Sequence, residues 1–257
     1  MFTQADVWAS GISRGAALAA RFLFPSRCLA CRRRDVEEIW RGGVCAACWN
    51  SLERPAPRRC AVCDEPVEDE AASPCGRCRI RPPAFESLRA AAPYRGTARQ
   101  ILLAFKFRGA DYLARHLAAR MCERLPPPGA IAEVACVPAA GRWRSGDHAA
   151  ELLAAAVAAR LGRPFTPGRL VKTRATERQS RLALSARDRN VRGAFHVRMP
   201  CPETVLLVDD VATSGATARE CARRLAGAGA RRILVWCFAR AAREEADFEA
   251  PPTPGAA

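Results

Sequence analysis

Apolar positions along the chain fall into two regimes that meet near residue 80. Before it, helical spacing shows only in Leu18, Phe22 and Leu23, which with Arg14 and Arg21 predict a short amphipathic helix within residues 1–27. Residues 28–80 are polar and arginine-studded, without a sustained period. A linker at Arg81-Pro82-Pro83 follows, and the pattern then becomes regular. Thr97 to Phe107 and Asp111 to Leu125 read as helices, the second stopped by Pro126-Pro127-Pro128. Glu133 to Val137 reads as a strand, Ala149 to Leu161 as a helix, and Arg169-Leu170-Val171 as a second strand. Lys172 to Arg192 is a long polar run that reads as a loop of the kind that forms a lid or is disordered. Val205-Leu206-Leu207-Val208 is fully apolar, as in a strand buried on both faces, and Arg232 to Phe238 repeats that character. Strands alternating with helices predict an α/β domain over 81–243: a central parallel sheet with flanking helices and ligands at the C-terminal ends of the strands. The Pro- and Ala-rich residues 244–257 read as a disordered tail.

The densest chemistry follows the Val205 strand. Asp209 and Asp210 come where it is expected to end. A loop of small and hydroxylated residues succeeds them, Ala212-Thr213-Ser214-Gly215-Ala216-Thr217, then a helix from about Ala218 to Ala226 closed by Gly227 and Gly229. A phosphate fits at such a helix N-terminus, with diol-binding carboxylates beside it. The loop lacks the Gly-Lys-Ser/Thr of a Walker A motif and the dinucleotide GxGxxG. The plain alternative is a strand–helix turn whose two acids are merely solvated. The stretch resembles the phosphoribosyl pyrophosphate (PRPP) signature of type I phosphoribosyltransferases. That resemblance implies that the loop wraps the 5'-phosphate, and that Asp209 and Asp210, the candidate catalytic residues, bind the ribose 2' and 3' hydroxyls with Mg²⁺ present.

Four CxxC pairs occupy the polar segment: Cys28/Cys31, Cys45/Cys48, Cys60/Cys63 and Cys75/Cys78. A CxxC knuckle sets two sulfurs about 3.5 to 4 Å apart, the edge of a ZnS4 tetrahedron with Zn–S near 2.3 Å. Two knuckles joined by a loop make a zinc ribbon, so residues 28–80 predict a double ribbon with two structural zinc ions, paired sequentially. A segment this short and polar would draw much of its folding energy from metal. Disulfides would need an oxidising compartment, and a redox CxxC would sit at a helix start inside a strand–helix alternation. The other five of the 13 cysteines, Cys122, Cys136, Cys201, Cys221 and Cys237, are scattered through apolar segments and read as core residues.

Composition shifts the picture modestly. The formal charge is +15, with arginine greatly outnumbering the two lysines, Lys106 and Lys172. Two thiolate-bound zinc ions would lower it to roughly +11. A basic surface suits phosphorylated ligands, nucleic acid or anionic lipid alike. Arg32-Arg33-Arg34 and Arg58-Arg59 are read as solvated charge, with docking of nucleic acid or a protein as the alternative. Lys106 is read as a surface lysine, with a phosphate role as the alternative. No apolar run is long enough to span a membrane, and Met1 to Phe24 lacks a basic n-region and a clean cleavage site, so a cytoplasmic protein without stable membrane insertion is expected. The loop Pro138 to His148 offers a second anion site between a strand and a helix, with His148 read as a positional or helix-start residue and a catalytic role as the alternative.

Taken together these pieces resemble the ComF family of competence-associated phosphoribosyltransferase-like proteins, which includes the GntX relatives. Arg174, Thr176, Gln179 and Leu182, then Arg187, Asn190-Val191 and Gly193-Ala194-Phe195, match its hood pattern. The resemblance implies a pyrophosphate loop at Ala139, Ala140, Gly141, Arg142 and Arg144, and a hood bearing Arg174, Gln179 and Arg187 that shields PRPP from water. One departure stands out: Arg144-Ser145-Gly146-Asp147-His148 replaces the family's Arg-Gly-Phe-Asn-Gln, so the acceptor does not carry over. Two readings follow: a Mg²⁺-dependent transferase acting on PRPP, linked to DNA uptake, or a non-catalytic zinc-bearing adaptor for single-stranded DNA or competence-machinery proteins.

Overall fold

A computed structural model describes residues 27–33, 43–126, 129–138, 148–176 and 184–241. The N-terminal helix expected within residues 1–27 and the tail 244–257 lie outside these. So do the pyrophosphate-loop residues Ala139, Ala140, Gly141, Arg142 and Arg144, with Gln179, Leu182 and the side chain of Arg187.

The cysteine segment carries two one-turn helices, α1 (Ala46–Asn50) and α2 (Gly76–Ile80). The α/β domain runs β1 (Ser87–Pro93), α3 (Gly96–Phe107), α4 (Ala114–Arg124), β2 (Glu133–Cys136), α5 (Ala149–Leu161), β3 (Leu170–Lys172), α6 (Leu184–Val191), β4 (Phe195–Val197), β5 (Thr204–Ala212), α7 (Ala216–Gly227) and β6 (Arg232–Arg240). Four strands form a sheet in the order β1-β6-β5-β2, with every pair parallel. β3 and β4 make a separate antiparallel pair, Leu170 opposite Val197. The expected class therefore holds: a central parallel sheet with flanking helices, preceded by a small cysteine module.

Side-chain alternation along β5 and β6 divides the interior. Leu206, Val208, Leu234, Trp236 and Phe238 face α3, α4 and α5, packing with Ile101, Leu102, Phe105, Leu117, Met121 and Leu153. Val205, Leu207, Ile233, Val235 and Cys237 face α7, packing with Ala218, Cys221, Ala222 and Leu225. Both central strands are thus buried on both faces, as their unbroken apolar runs require.

Three expectations are corrected. β5 runs on to Ala212, paired with Arg240, so Asp209 and Asp210 lie within the strand rather than at its end. The following helix begins at Ala216, two residues early, because Gly215 (φ 73°) turns the chain into it. The polar run 172–192 is not all loop, since it contains α6. β1 had no counterpart in the sequence reading: Ser-Leu-Arg-Ala-Ala-Ala-Pro is poor in β-branched residues and carries no strand signal.

That edge strand explains how the cysteine module sits. β1 pairs with β6 on one side only, and an open edge would leave N–H groups unpaired. The module covers it: the Leu88 N–H donates to the Val62 carbonyl at 2.7 Å, and the Ala90 N–H donates to Asp64 Oδ2 at 2.9 Å. Val44, Trp49 and Leu52 join the core under α3 and α4, while Cys60, Cys63 and Cys78 join the core under α7. Among the described residues no helix is long and apolar enough to cross a membrane.

Candidate functional site

The two halves of the cysteine segment converge on two separate clusters, Cys28-Cys31-Cys45-Cys48 and Cys60-Cys63-Cys75-Cys78. Within each, the four sulfurs lie within 4.8 Å of one another. Sulfur pairs stand 3.8 Å apart (Cys28–Cys48), 4.0 Å (Cys31–Cys45) and 3.7 Å (Cys63–Cys75). A tetrahedral zinc with Zn–S of about 2.3 Å needs edges of about 3.8 Å, so the sulfurs fit the ion as they stand. None of these cysteines forms a disulfide. Each cluster also prepares one thiolate. The Cys45 N–H donates to Cys28 Sγ at 3.4 Å, and the Cys75 N–H donates to Cys60 Sγ at 3.2 Å. Burial raises both thiols, but these donors and others in the same knuckle prevail and hold Cys28 and Cys60 at about 7. The sequential pairing read from the spacing is the one found.

The second centre lies in the last four residues of β5, past the end of its pairing with β2 but still paired with β6. Adjacent strand residues point to opposite faces, so the two carboxylates do not share one environment. Asp210 is buried and turns toward α3, where Lys106 Nζ sits 2.7 Å from its Oδ2. Asp209 is half-buried, and its Oδ1 accepts the Asp210 N–H at 2.8 Å. Burial first, and then the Asp210 charge, push Asp209 up to about 7, against the pull of Lys106. Burial pulls the Lys106 ammonium down, but the facing carboxylates outweigh it and keep its pKa above the usual lysine value. Lys106, read from sequence as surface, thus belongs to the site. Its signal was slight: one of two lysines, at the end of a helix leading into the domain.

Beyond the carboxylates the chain runs Ala212, Thr213, Ser214 and Gly215 into α7. Ser214 is buried, and its Oγ accepts the Ala216 N–H at 3.3 Å, which tightens the turn. Thr213 and Thr217 are half-exposed. A Cβ on Gly215 would meet nothing within 4 Å, so its place rests on the left-handed backbone rather than on crowding. The first turn of α7 directs its N–H groups at this loop, a geometry suited to an anion. Of the hood residues, Arg174 donates to the carbonyls of Asn190 (2.8 Å) and Arg192 (3.0 Å), tying β3 to the end of α6.

Sequence reasoning also missed Arg77, between the last two cysteines. Its Nη1 donates to the Ser214 carbonyl at 2.6 Å, and its Nη2 reaches both oxygens of Asp188 on α6 at 2.8 Å. Arg219 on α7 returns the contact, donating to the Arg81 carbonyl at 2.8 Å and to Cys78 Sγ at 3.1 Å.

The chain is similar to several known proteins. Residues 19–79 match the double zinc ribbon domain. The DNA utilization protein YhgH of Salmonella typhi is 31% identical over 228 residues, covering 84% of this chain and 97% of that protein. The chain belongs to the ComF/YhgH family. Competence protein F of Haemophilus influenzae is a more distant member, 27% identical over 231 residues, with 85% and 98% of the two chains covered. Among solved structures, an adenine phosphoribosyltransferase overlaps 58% of this chain and 82% of its own at 17% identity with a TM-score of 0.35. The glutamine PRPP amidotransferase of B. subtilis overlaps 53% and 30% at 20% identity, also with a TM-score of 0.35. The fold of this ComF/YhgH member is a double zinc ribbon, with two structural four-cysteine zinc sites, set against an α/β domain built on a four-stranded parallel sheet.

Proposed function

We propose that this protein binds PRPP with Mg²⁺ at the end of β5 and transfers its phosphoribosyl group to an acceptor. The observation that carries the reading is the junction itself: Asp209 half-open beside Asp210, followed at once by a small-residue loop and the N-terminus of α7. Thr213, Ser214, Gly215, Ala216 and Thr217 would wrap the 5'-phosphate through backbone N–H and hydroxyl donors, and Ala212 would deliver the chain to them. Asp209 would accept from the ribose hydroxyls, while Asp210 would be held in place by its ion pair with Lys106. Mg²⁺ would neutralise the departing pyrophosphate. Departure of pyrophosphate from C1 builds positive charge on the sugar, and carboxylates in a water-poor cleft stabilise it without a covalent nucleophile. Arg142 and Arg144 would meet the pyrophosphate, and Gln179 and Arg187 would close over it.

The names carried by the relatives, DNA utilization and competence, support a role in the uptake or use of DNA. The charge of +15 supports contact with single-stranded DNA or with competence proteins in such a role, in the cytoplasm. A non-catalytic adaptor that keeps PRPP only as a ligand draws on the same charge, and turnover separates the two. The deciding experiment incubates the protein with PRPP, Mg²⁺ and a panel of bases, followed by mass spectrometry. A new nucleotide with released pyrophosphate is expected, and PRPP bound but unchanged would leave the adaptor. For the site itself, Asp209→Asn should lower PRPP affinity about tenfold or more by calorimetry, since a charge-assisted hydrogen bond contributes about 1.5–3 kcal/mol. Binding equal to wild type would place the sugar elsewhere.

A further inference from the structure

The second cysteine cluster touches the phosphate loop through two arginines pointing in opposite directions. Arg77 leaves the one-turn helix between Cys75 and Cys78 and takes hold of two elements distant in sequence, the Ser214 carbonyl at 2.6 Å and the Asp188 carboxylate at 2.8 Å. Arg219 leaves α7, three residues into the helix, and gives one N–H to Cys78 Sγ at 3.1 Å and another to the Arg81 carbonyl at 2.8 Å. Its guanidinium also lies 5.9 Å over the Phe85 ring. Together they close a circuit: cluster, α2, Arg77, loop, α7, Arg219, cluster. The circuit borders a groove of about 540 Å³, lined in part by Arg81, Asp188, Arg192 and Arg219, so it lies near the surface rather than deep in the core.

Among the described residues the arginine contacts of the first cluster run elsewhere, from Arg124 to the Leu52 and Glu53 carbonyls and from Arg108 to the Leu29 carbonyl. Its neighbours are Trp49, Leu52 and the helices α3 and α4.

The two arginines differ in what holds them. Arg77 sits on five residues that bury only Cys78, and a helix of that length does not persist alone. Its position depends on the two cysteines that flank it. Arg219 sits on a twelve-residue helix with six buried residues. A metal gathering Cys60, Cys63, Cys75 and Cys78 would therefore set where Arg77 stands, while Arg219 would anchor the far side.

We propose that the second cysteine cluster is a latch on the phosphate loop: with zinc bound it presents Arg77 so that the loop at Ser214 and the hood helix α6 are held together, and without zinc both are released. This rests on the PRPP reading only for its consequence, tighter sugar-phosphate binding; the latch itself is a statement about two backbone segments.

The test is hydrogen–deuterium exchange by mass spectrometry on the full chain, paired with zinc analysis and PRPP calorimetry in Mg²⁺. Arg77→Ala should keep two zinc ions, exchange about tenfold faster in peptides covering 213–220 and 184–191, and bind PRPP about tenfold more weakly, the effect of losing charge-assisted hydrogen bonds. Asp188→Asn should speed exchange in 184–191 while leaving 213–220 close to wild type, which a general loss of stability would not do. Arg77→Lys, a point charge that cannot fork, should fall between. Removing zinc from the wild type with a chelator should reproduce the Arg77→Ala pattern at 213–220. Unchanged exchange at both segments in Arg77→Ala overturns the latch, as does loss of zinc from that variant, since Arg77 would then be building the cluster rather than transmitting its state. If the wild type fails to bind PRPP, the functional reading falls, and the exchange measurements still decide the latch.

Discussion

The two cysteine clusters share a motif and a local geometry but serve different parts of the fold. Each gathers four sulfurs within 4.8 Å, and each uses an N–H from its second knuckle to hold one sulfur of its first. The first is set into the core. Trp49 and Leu52 pack under α3 and α4, and Arg124 of α4 donates to the carbonyls of Leu52 and Glu53 at 2.8 Å each. The second is set against edges and loops. It closes the free side of β1 through Val62 and Asp64, and it reaches the loop at Ser214 through Arg77. One cluster therefore supports the helix that carries Lys106, and the other supports the loop after Asp210. A repeated metal motif need not have a repeated task. What distinguishes the copies is the surface each offers to the rest of the chain, and that is decided by the residues between the cysteines.

Breaking the clusters one at a time should give the largest effects. Structural zinc contributes about 10–16 kcal/mol of binding energy in isolated finger peptides, against a total stability of about 5–15 kcal/mol for a domain. Here packing carries part of that load. Cys28→Ser with Cys48→Ser should lower the zinc content from two ions to one and lose cooperative melting, because those two thiols are buried in the main core. Cys60→Ser with Cys75→Ser should also leave one ion, but should retain a cooperative transition and loosen chiefly β1 and the loop. Elemental analysis and calorimetric melting would show this. Indistinguishable melting of the two variants would erase the distinction between the clusters.

Much of this organisation is legible in the sequence where physics is local. The CxxC spacing forces two sulfurs onto one tetrahedral edge, and an apolar run such as Val205 to Val208 has few uses besides a doubly buried strand. The missing parts depend on contacts between distant segments. β1 is a strand because β6 and the cysteine module supply partners, not because its three alanines prefer one. Asp209 and Asp210 look equivalent side by side. Only the extension of β5 to Ala212 turns one toward Lys106 and leaves the other half-open. Arg77 is visible as a residue inside a CxxC, but its acceptor lies 137 positions away.

A middle-sized effect is expected at the first cluster's side of the site. Lys106→Met removes the cation from a carboxylate that stays largely buried, with 11% of the Asp210 side chain exposed. Because the lysine itself is partly solvated, the cost should be at the lower end for such pairs, about 1–3 kcal/mol. In a protein of this size that corresponds to roughly 2–4 °C of melting temperature per kcal/mol. Asp210→Asn should cost a similar amount, and the double variant less than the sum, since neither leaves a lone charge behind once its partner is gone. Additive losses in a thermal-melt cycle would mean that the pair is not coupled, and that α3 is tied to the site by packing alone.

The smallest effect, and the one that reads the ground between the two supports, is the titration of Asp209. Burial and the neighbouring Asp210 charge bring it up to about 7, within reach of ordinary buffers. On the proposed PRPP reading a ribose hydroxyl or Mg²⁺ would call for the carboxylate and binding would expel the proton, so affinity for PRPP should fall as pH drops through 7. One unit below the pKa about one molecule in ten is ionised, and one unit above about nine in ten, so affinity should rise roughly tenfold between pH 6 and pH 8. PRPP titrates in the same range, so the comparison is with Asp209→Asn, whose profile should keep the ligand's own step and lose the protein's. Stability should move the opposite way. The folded pKa lies above the unfolded value of about 3.9, so the native state holds the proton more tightly. The contribution of Asp209 to stability is then fully present below pH 4 and is lost as pH climbs toward 7. A group whose ionisation helps the ligand while costing the fold is placed for binding, and a flat difference between the two pH profiles would remove Asp209 from that role.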